Sequence, residues 1–284
     1  MLDVLDLSSS DARTREDIFT GRSHPMPTGR VFGGQVLAQA IVAADRTTAA
    51  DRVPHSMHGY FLRPGNAAEG ITFAVDRIHD GRSFSARRTQ AYQRGVPIFS
   101  MIASFEHEDP GLEHQLPMPE GIVSPEEALE RTARTPAHPL SGRELDSAPV
   151  QLVHADGAIY DEVPEPAAPA QNVWMRVRRP IGDDAALHRA VLAYMSDMTI
   201  QEPVLRAHGV SWSRPGLKLA SLDHAMWWHR PARVDEWLLY AQTSPSARGG
   251  RGLSSGRIYT RAGDLVASVG QEVVVRVPGP VSSA

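Results

Sequence analysis

Two Arg-Pro dipeptides, Arg63-Pro64 and Arg230-Pro231, stand 167 residues apart, and each closes a stretch rich in histidine and aromatic residues. The stretches Tyr92 to Arg94 and Tyr259 to Arg261 correspond at the same spacing. A period this long marks a duplicated domain rather than a short-period solenoid. At 284 residues the chain has room for two cores of ordinary size. The expected fold is therefore one unit written twice.

The first unit opens with a short strand at Leu2 to Leu7 and a second apolar stretch near Ile18 and Phe19. Its main helix is expected within Arg30 to Ala44, where small and apolar residues on most faces imply a helix surrounded by protein. Strands follow at His55 to Pro64, Ile71 to Ile78, Ser83 to Gln93 and Ile98 to Phe105, separated by Pro-Gly, Asp-Gly and Arg-Gly turns. The same order returns with a strand at Asn172 to Arg178, a helix at Asp183 to Asp197, the stretch Ser221 to Pro231, and strands at Trp237 to Gln242, Leu253 to Thr260 and Leu265 to Val277. Between them, Glu106 to about Val150 is proline-rich and lacks apolar periodicity, which predicts a solvated linker with one short helix from Pro125 to Thr132 capped by Ser124. The expected division is 1–108, linker 109–150, and 151–284. The class is α+β, each half a long helix wrapped by an antiparallel sheet.

A formal charge of −4 supplies no basic field for a nucleic acid. Without cysteine there are no disulfides, thiolate metal sites or cysteine nucleophiles, and the 12 histidines show no HExxH-like spacing, so no metal or organic cofactor is expected. The N-terminus lacks the basic start and apolar core of a signal peptide, and no apolar run approaches the roughly 20 residues of a membrane span. A cytoplasmic setting is expected.

The chemistry is expected around Ser221 to Pro231, where Asp223 sits beside the densest aromatic patch in the chain. Period-2 alternation puts Asp223, Ala225, Trp227 and His229 on one face and His224, Met226 and Trp228 on the other. Gln271 falls on the otherwise apolar face of Val269, Val273 and Val275, where a polar side chain must find partners. At the 167-residue spacing Asp223 corresponds to Ser56 and Gln271 to Ser104, or to Ala103 after a slip of one, so the polar pair exists only in the second half. The helix starts differ in the opposite sense. Gly33 and Gly34 leave bare amides at the first helix, whereas Asp183 and Asp184 would repel an anion at the second. One composite site is expected between the halves, with the parts of a hydrolytic acyl-transfer centre. Asp223 would take a proton from water, Ser244 or Thr243 and Gln271 would hold that water, and the amides near Gly33 and Gly34 would stabilise the oxyanion. His58 and His224 are expected to be structural. Trp227 is a candidate acyl-chain wall, and Arg82, Arg87, Arg88, Arg248 and Arg251 are candidate phosphate contacts, Arg82 and Arg248 foremost.

The segments FGGQVLAQAI, HSMHGYFLRPG, DGRSFSARRTQAYQ, SLDHAMWWHRP, EWLLYAQTSPSARGGRGL and DLVASVGQE together resemble the type II acyl-CoA thioesterases, the TesB-like double-hotdog enzymes. The resemblance covers most of 20–108 and 172–278. It implies two hotdogs in tandem forming one continuous sheet, and hydrolysis of fatty acyl-CoA to free fatty acid and CoA. It implies an Asp, a Ser or Thr, and a Gln acting on water in the second hotdog, which carry over to Asp223, Ser244 (or Thr243) and Gln271. The alternatives are a hotdog enoyl-CoA hydratase, disfavoured because His224 faces away from Asp223, and a non-catalytic acyl-CoA binding protein. Open sheet edges and the resemblance imply a homo-oligomer.

Overall fold

Ten of the residues of helix α1 (Gly33–Asp45) are buried, including Gln35 and Gln39, as its small and apolar surface requires. The computed structural model describes residues 1–9, 16–131, 148–164 and 168–278. Before α1 come a 3₁₀ turn (Leu2–Leu5), β1 (Ser8–Ser9) and β2 (Asp17–Gly21); after it come β3 (Val53–Phe61), β4 (Ile71–Asp80), β5 (Phe84–Gln93) and β6 (Val96–Glu106). The strand expected at Leu2 to Leu7 is thus largely a 3₁₀ turn. Next are α2 (Pro125–Arg131), β7 (Val150–His154), β8 (Ala170–Val177), α3 (Ala185–Ser196) and α4 (Glu202–Ala207). The last described elements are β9 (Lys218–Ser221), β10 (Asp223–Trp228), β11 (Leu238–Arg248), β12 (Arg251–Thr260) and β13 (Leu265–Arg276).

Among the described residues all the strands lie in one 13-stranded antiparallel sheet. In the first half the order is β2-β4-β5-β6-β3, and in the second β8-β11-β12-β13-β10, the same order read from the other edge. The halves join through β3 and β10, where His58 pairs with Ala225 and Met57 with Met226. His58 and Ala225 correspond at the 167-residue spacing, so the local twofold of the duplication passes between them. Helices α1 and α3 pack against each other inside the wrapped sheet, with the Phe32 and Tyr194 rings edge to face at 5.0 Å. Leu37, Ile41, Phe73, Phe99, Met101, Val191, Met226, Tyr240 and Val269 belong to one shared core. Each large apolar side chain buried there contributes roughly 1.5–3 kcal/mol.

Residues 107–114 of the proline-rich stretch are exposed, but 115–131 is anchored to the second half rather than being a solvated linker. Ser124 Oγ accepts from Glu127 N at 3.1 Å and caps α2 as expected. Ala128 packs with Trp174, Trp237, Leu239 and Tyr259 on the face of the sheet's second half that lies opposite the α1–α3 core. Gln115 receives the Leu265 amide and donates to Gly263 O, Trp174 Nε1 donates to Val123 O, and Arg261 makes two bonds to Glu126. Alternation in β8 and β11 supplies this second apolar face, which something had to cover. Strand β7 and helix α4, neither legible as periodic segments, complete the half. The wholly buried Glu202 of α4 pairs with His154 of β7 at 2.8 Å and accepts from Gln171 of β8 at 2.8 Å. Among the described residues no helix is long and apolar enough to cross a membrane.

Candidate active site

Asp197 directly follows α3 and is its C-cap residue. A carboxylate at a helix C-terminus opposes the helix dipole, so it needs other partners. It finds them on three elements. Gln271 of β13 donates from Nε2 to Asp197 Oδ1 at 2.9 Å, Ser221 of β9 donates from Oγ to the same oxygen at 3.3 Å, and the backbone amide of Gly34 in α1 also hydrogen-bonds the carboxylate. Gln271 Nε2 also donates to Ser221 Oγ at 2.9 Å.

Burial raises the Asp197 carboxyl from its ordinary range to about 6, while the bonds from Gln271, Gly34 and Ser221 pull it back down. A group that titrates near neutrality is suited to taking a proton from water. The start of α1 comes close enough that a Cβ on Gly33 would lie 2.7 Å from Asp197 Oδ2 and 3.0 Å from the Phe61 ring. On Gly34 a Cβ would lie 2.4 Å from Tyr194 O. Glycine is needed at both positions for the two halves to meet. Ser221, Gly33 and Phe61 are partly exposed while Gln271 and Asp197 are buried, so solvent approaches the cluster from the Ser221 side.

Ser221 reaches Gln271 through an irregularity in the sheet. Ser221 pairs with Val273, whereas Ala225 pairs with Gly270, so four steps along β9 and β10 match three along β13. The extra residue lies around Leu222, between the two strands, and has the form of a bulge. It lets Ser221 and His224, three apart in sequence, address the same glutamine. His224 Nδ1 lies 2.5 Å from Gln271 Oε1, and His224 Nε2 lies 2.9 Å from Ser196 Oγ. Among the described residues no group of three or more His, Asp or Glu side chains could hold a metal ion.

Residues 22–106 match the acyl-CoA thioesterase N-terminal domain, and residues 164–274 match the acyl-CoA thioesterase family. Human acyl-coenzyme A thioesterase 8 is 35% identical over 99% of this chain and 90% of its own length. The crystal structure of the acyl-CoA thioesterase II TesB2 from Mycobacterium marinum is 41% identical, with a TM-score of 0.78 over 98% of both chains. The chain belongs to the type II acyl-CoA thioesterase family. A protein with a hot dog fold from Alicyclobacillus acidocaldarius, 20% identical, superposes with a TM-score of 0.73 over 98% of both chains, which agrees in fold. This TesB-like thioesterase is thus a double hotdog and a thioester hydrolase. Its two family matches meet at the cluster, Gly33 and Gly34 from one and Asp197, Ser221 and Gln271 from the other.

In this thioesterase Gln271 and the α1 start come together as expected, but Asp223 and Ser244 do not join them. The β10–β13 register sets His224, not Asp223, against Gln271. Asp223 is on the outward face, where its Oδ1 accepts the Glu272 amide at 2.7 Å. Ser244 lies on β11, beyond β12 from Gln271, and donates to Leu253 O at 2.7 Å. Thr243 is exposed, with Oγ1 3.2 Å from Ser255 Oγ. Trp227 shares Asp223's outward face, is 38% exposed and meets the His58 ring at 5.0 Å. Arg82 is exposed in the β4–β5 turn, and Arg248 is exposed at the end of β11. Arg87, a candidate phosphate contact, is instead 1% exposed; it bonds Thr47 Oγ1 at 2.8 Å, Thr47 O at 3.0 Å and Asp80 Oδ1 at 2.6 Å.

Alternation places Asp223 and His224 on opposite faces, as the structure does, but it carries no register, and the register sets His224 against Gln271. Asp197 carried one signal in the sequence: an acid closing an apolar helix, at the end where its charge is least favoured.

Proposed function

We propose that this protein hydrolyses fatty acyl-CoA to free fatty acid and CoA, with Asp197 as the general base. The observation that carries the reading is the buried Asp197 carboxylate, raised to about 6 and bonded to Gln271 and Ser221 beside the N-terminus of a helix from the other half. A water held by Ser221 and Gln271 gives its proton to Asp197 as its oxygen attacks the thioester carbon. The carbonyl oxygen becomes an oxyanion at the start of α1, where the helix dipole and the Gly33 amide favour negative charge. The carbon–sulfur bond then breaks, and Asp197 returns the proton to the departing CoA sulfur. The ends are a carboxylic acid, a free thiol and the original carboxylate.

Several basic groups stand beyond Ser221. Lys218 of β9 pairs with Arg276 of β13, and Arg251 opens β12 opposite Val274, next to Arg248. Three steps along the strand separate Lys218 from Ser221, on the order of 10 Å. This corner suits the phosphates of CoA, and the reading keeps Arg248 as a substrate contact on that ground.

The test is thiol release from acyl-CoA. Asp197→Asn should lose about 10²–10⁴-fold in kcat, the usual worth of a general base. Asp223→Asn should stay near wild type. The reverse pattern would return the catalytic acid to Asp223.

A further inference from the structure

A glutamine amide has a donor end and an acceptor end of nearly the same shape, so something must decide which end faces the reaction. With Asp197 ionised, Gln271 has to present its NH₂ group to that carboxylate and to Ser221, since an oxygen there would face only acceptors or a shared hydroxyl proton. Its Oε1 then faces His224 Nδ1 at 2.5 Å and requires a proton on that nitrogen. His224 is fully buried, and burial lowers its imidazole from the ordinary value to about 4, so the ring is neutral and carries one N–H. With that N–H at Nδ1, Nε2 is a bare acceptor, and the group facing it is Ser196 Oγ at 2.9 Å. Ser196 also lies 2.9 Å from Ala193 O; its proton turns to the histidine when Nδ1 holds the ring proton.

We propose that His224, held by Ser196, is a positioning residue for hydrolysis, fixing the Gln271 amide with its NH₂ toward Asp197 and Ser221. The proposal rests on the reading of Asp197, Ser221 and Gln271 given above. His224 touches neither water nor thioester; it acts through Gln271. The opposite tautomer would donate to Ser196, leave Nδ1 bare and turn the amide oxygen toward Asp197. The Ser196–His224 pair therefore couples one ring proton to one amide orientation. The equivalent residue in the first half is Met57, also fully buried in the joining strand, so an apolar side chain of this size is compatible with that strand's inward face.

The experiment compares His224→Met, His224→Asn, Ser196→Ala and Gln271→Ala in steady-state thiol release, with melting curves as a check on folding. His224→Met should lower kcat about 10- to 100-fold with KM within about twofold, the cost of a misplaced catalytic group. His224→Asn keeps an N–H donor where Nδ1–H stands and should recover at least about fivefold of that loss, while Ser196→Ala should lower kcat about three- to tenfold. A folded His224→Met variant with wild-type kcat would overturn the proposal, as would an asparagine variant no better than methionine. If both histidine variants fail to fold, Ser196→Ala decides alone, wild-type kcat overturning the proposal. Full activity in Gln271→Ala would instead sink the underlying reading of the cluster, whereas an inactive Gln271→Ala beside an active His224→Met would sink only the role of His224.

Discussion

Gln271 donates to Asp197 Oδ1 at 2.9 Å across 74 residues of chain, joining the last strand of the second hotdog to the end of that hotdog's helix. The bond is buried, and a second helix, α1, closes over it from the other half. The site is composite in that sense: the polar side chains belong to one copy of the duplicated unit and the anion-favouring helix start to the other.

Asp197 links activity to pH. Deprotonated base is needed, so kcat/KM should fall about tenfold per pH unit below about 6, the value to which burial raises Asp197. A pH–rate profile on one acyl-CoA checks this, and a profile flat from pH 7 to 5 would remove Asp197 from the role.

The same shift costs stability. Between the ordinary 3.8 and about 6 the folded state binds the Asp197 proton more tightly than the unfolded state, so this contribution is full below 3.8 and is lost as pH rises through about 6. His224 runs the other way: its contribution is full above 6.5 and is lost as pH falls through about 4. The two nearly cancel in the wild type. In Asp197→Asn the pH-dependent gain over wild type should grow from near zero at pH 4 to roughly 3 kcal/mol above pH 6, at about 1.36 kcal/mol per unit. Urea unfolding at a series of pH values measures it.

The hydroxyl assignment separates cleanly. Ser221→Ala should lower kcat about tenfold or more, as expected when a group that holds the nucleophile is lost. Ser244→Ala and Thr243→Ala should leave kcat within about twofold, because their hydroxyls bond Leu253 O and Ser255 instead. Equal losses at all three would mean that the effect is structural.

Gly33→Ala tests the meeting of the halves. Its Cβ would sit 2.7 Å from Asp197 Oδ2, so the carboxylate or α1 must shift. We expect about 100-fold loss of kcat and a stability cost of about 1–3 kcal/mol. Activity and melting temperature read these separately.

Arg87→Met addresses the fold alone. The buried guanidinium bonds the Thr47 carbonyl just after α1 and the carbonyls of His79 and Ala86. Leaving those groups without a donor should cost about 2–3 kcal/mol in urea unfolding, with kcat per folded molecule unchanged. Reduced CoA affinity instead would restore Arg87 as a phosphate contact.

The repeat, helices α1 and α3, most of the strands and the faces of Gln271 and His224 were legible because each follows from local periodicity, turn chemistry or the 167-residue correspondence. Gly33 and Gly34 were legible as an uncapped helix start, and Asp184 as an acid that closes the other one, where its Oδ1 accepts from Ala186 N and Leu187 N. Register was not. The shift around Leu222 decides that His224 and Ser221, rather than Asp223, meet Gln271, and a single-residue slip of this kind leaves no mark on hydrophobic alternation. The docking of residues 115–131 was hidden for a similar reason: the segment has no periodicity of its own and is held by an apolar face on strands far away in sequence. Amphipathic patterns determine which side of each element is buried; only the packed sheet and the crossing of α1 with α3 decide which buried groups touch.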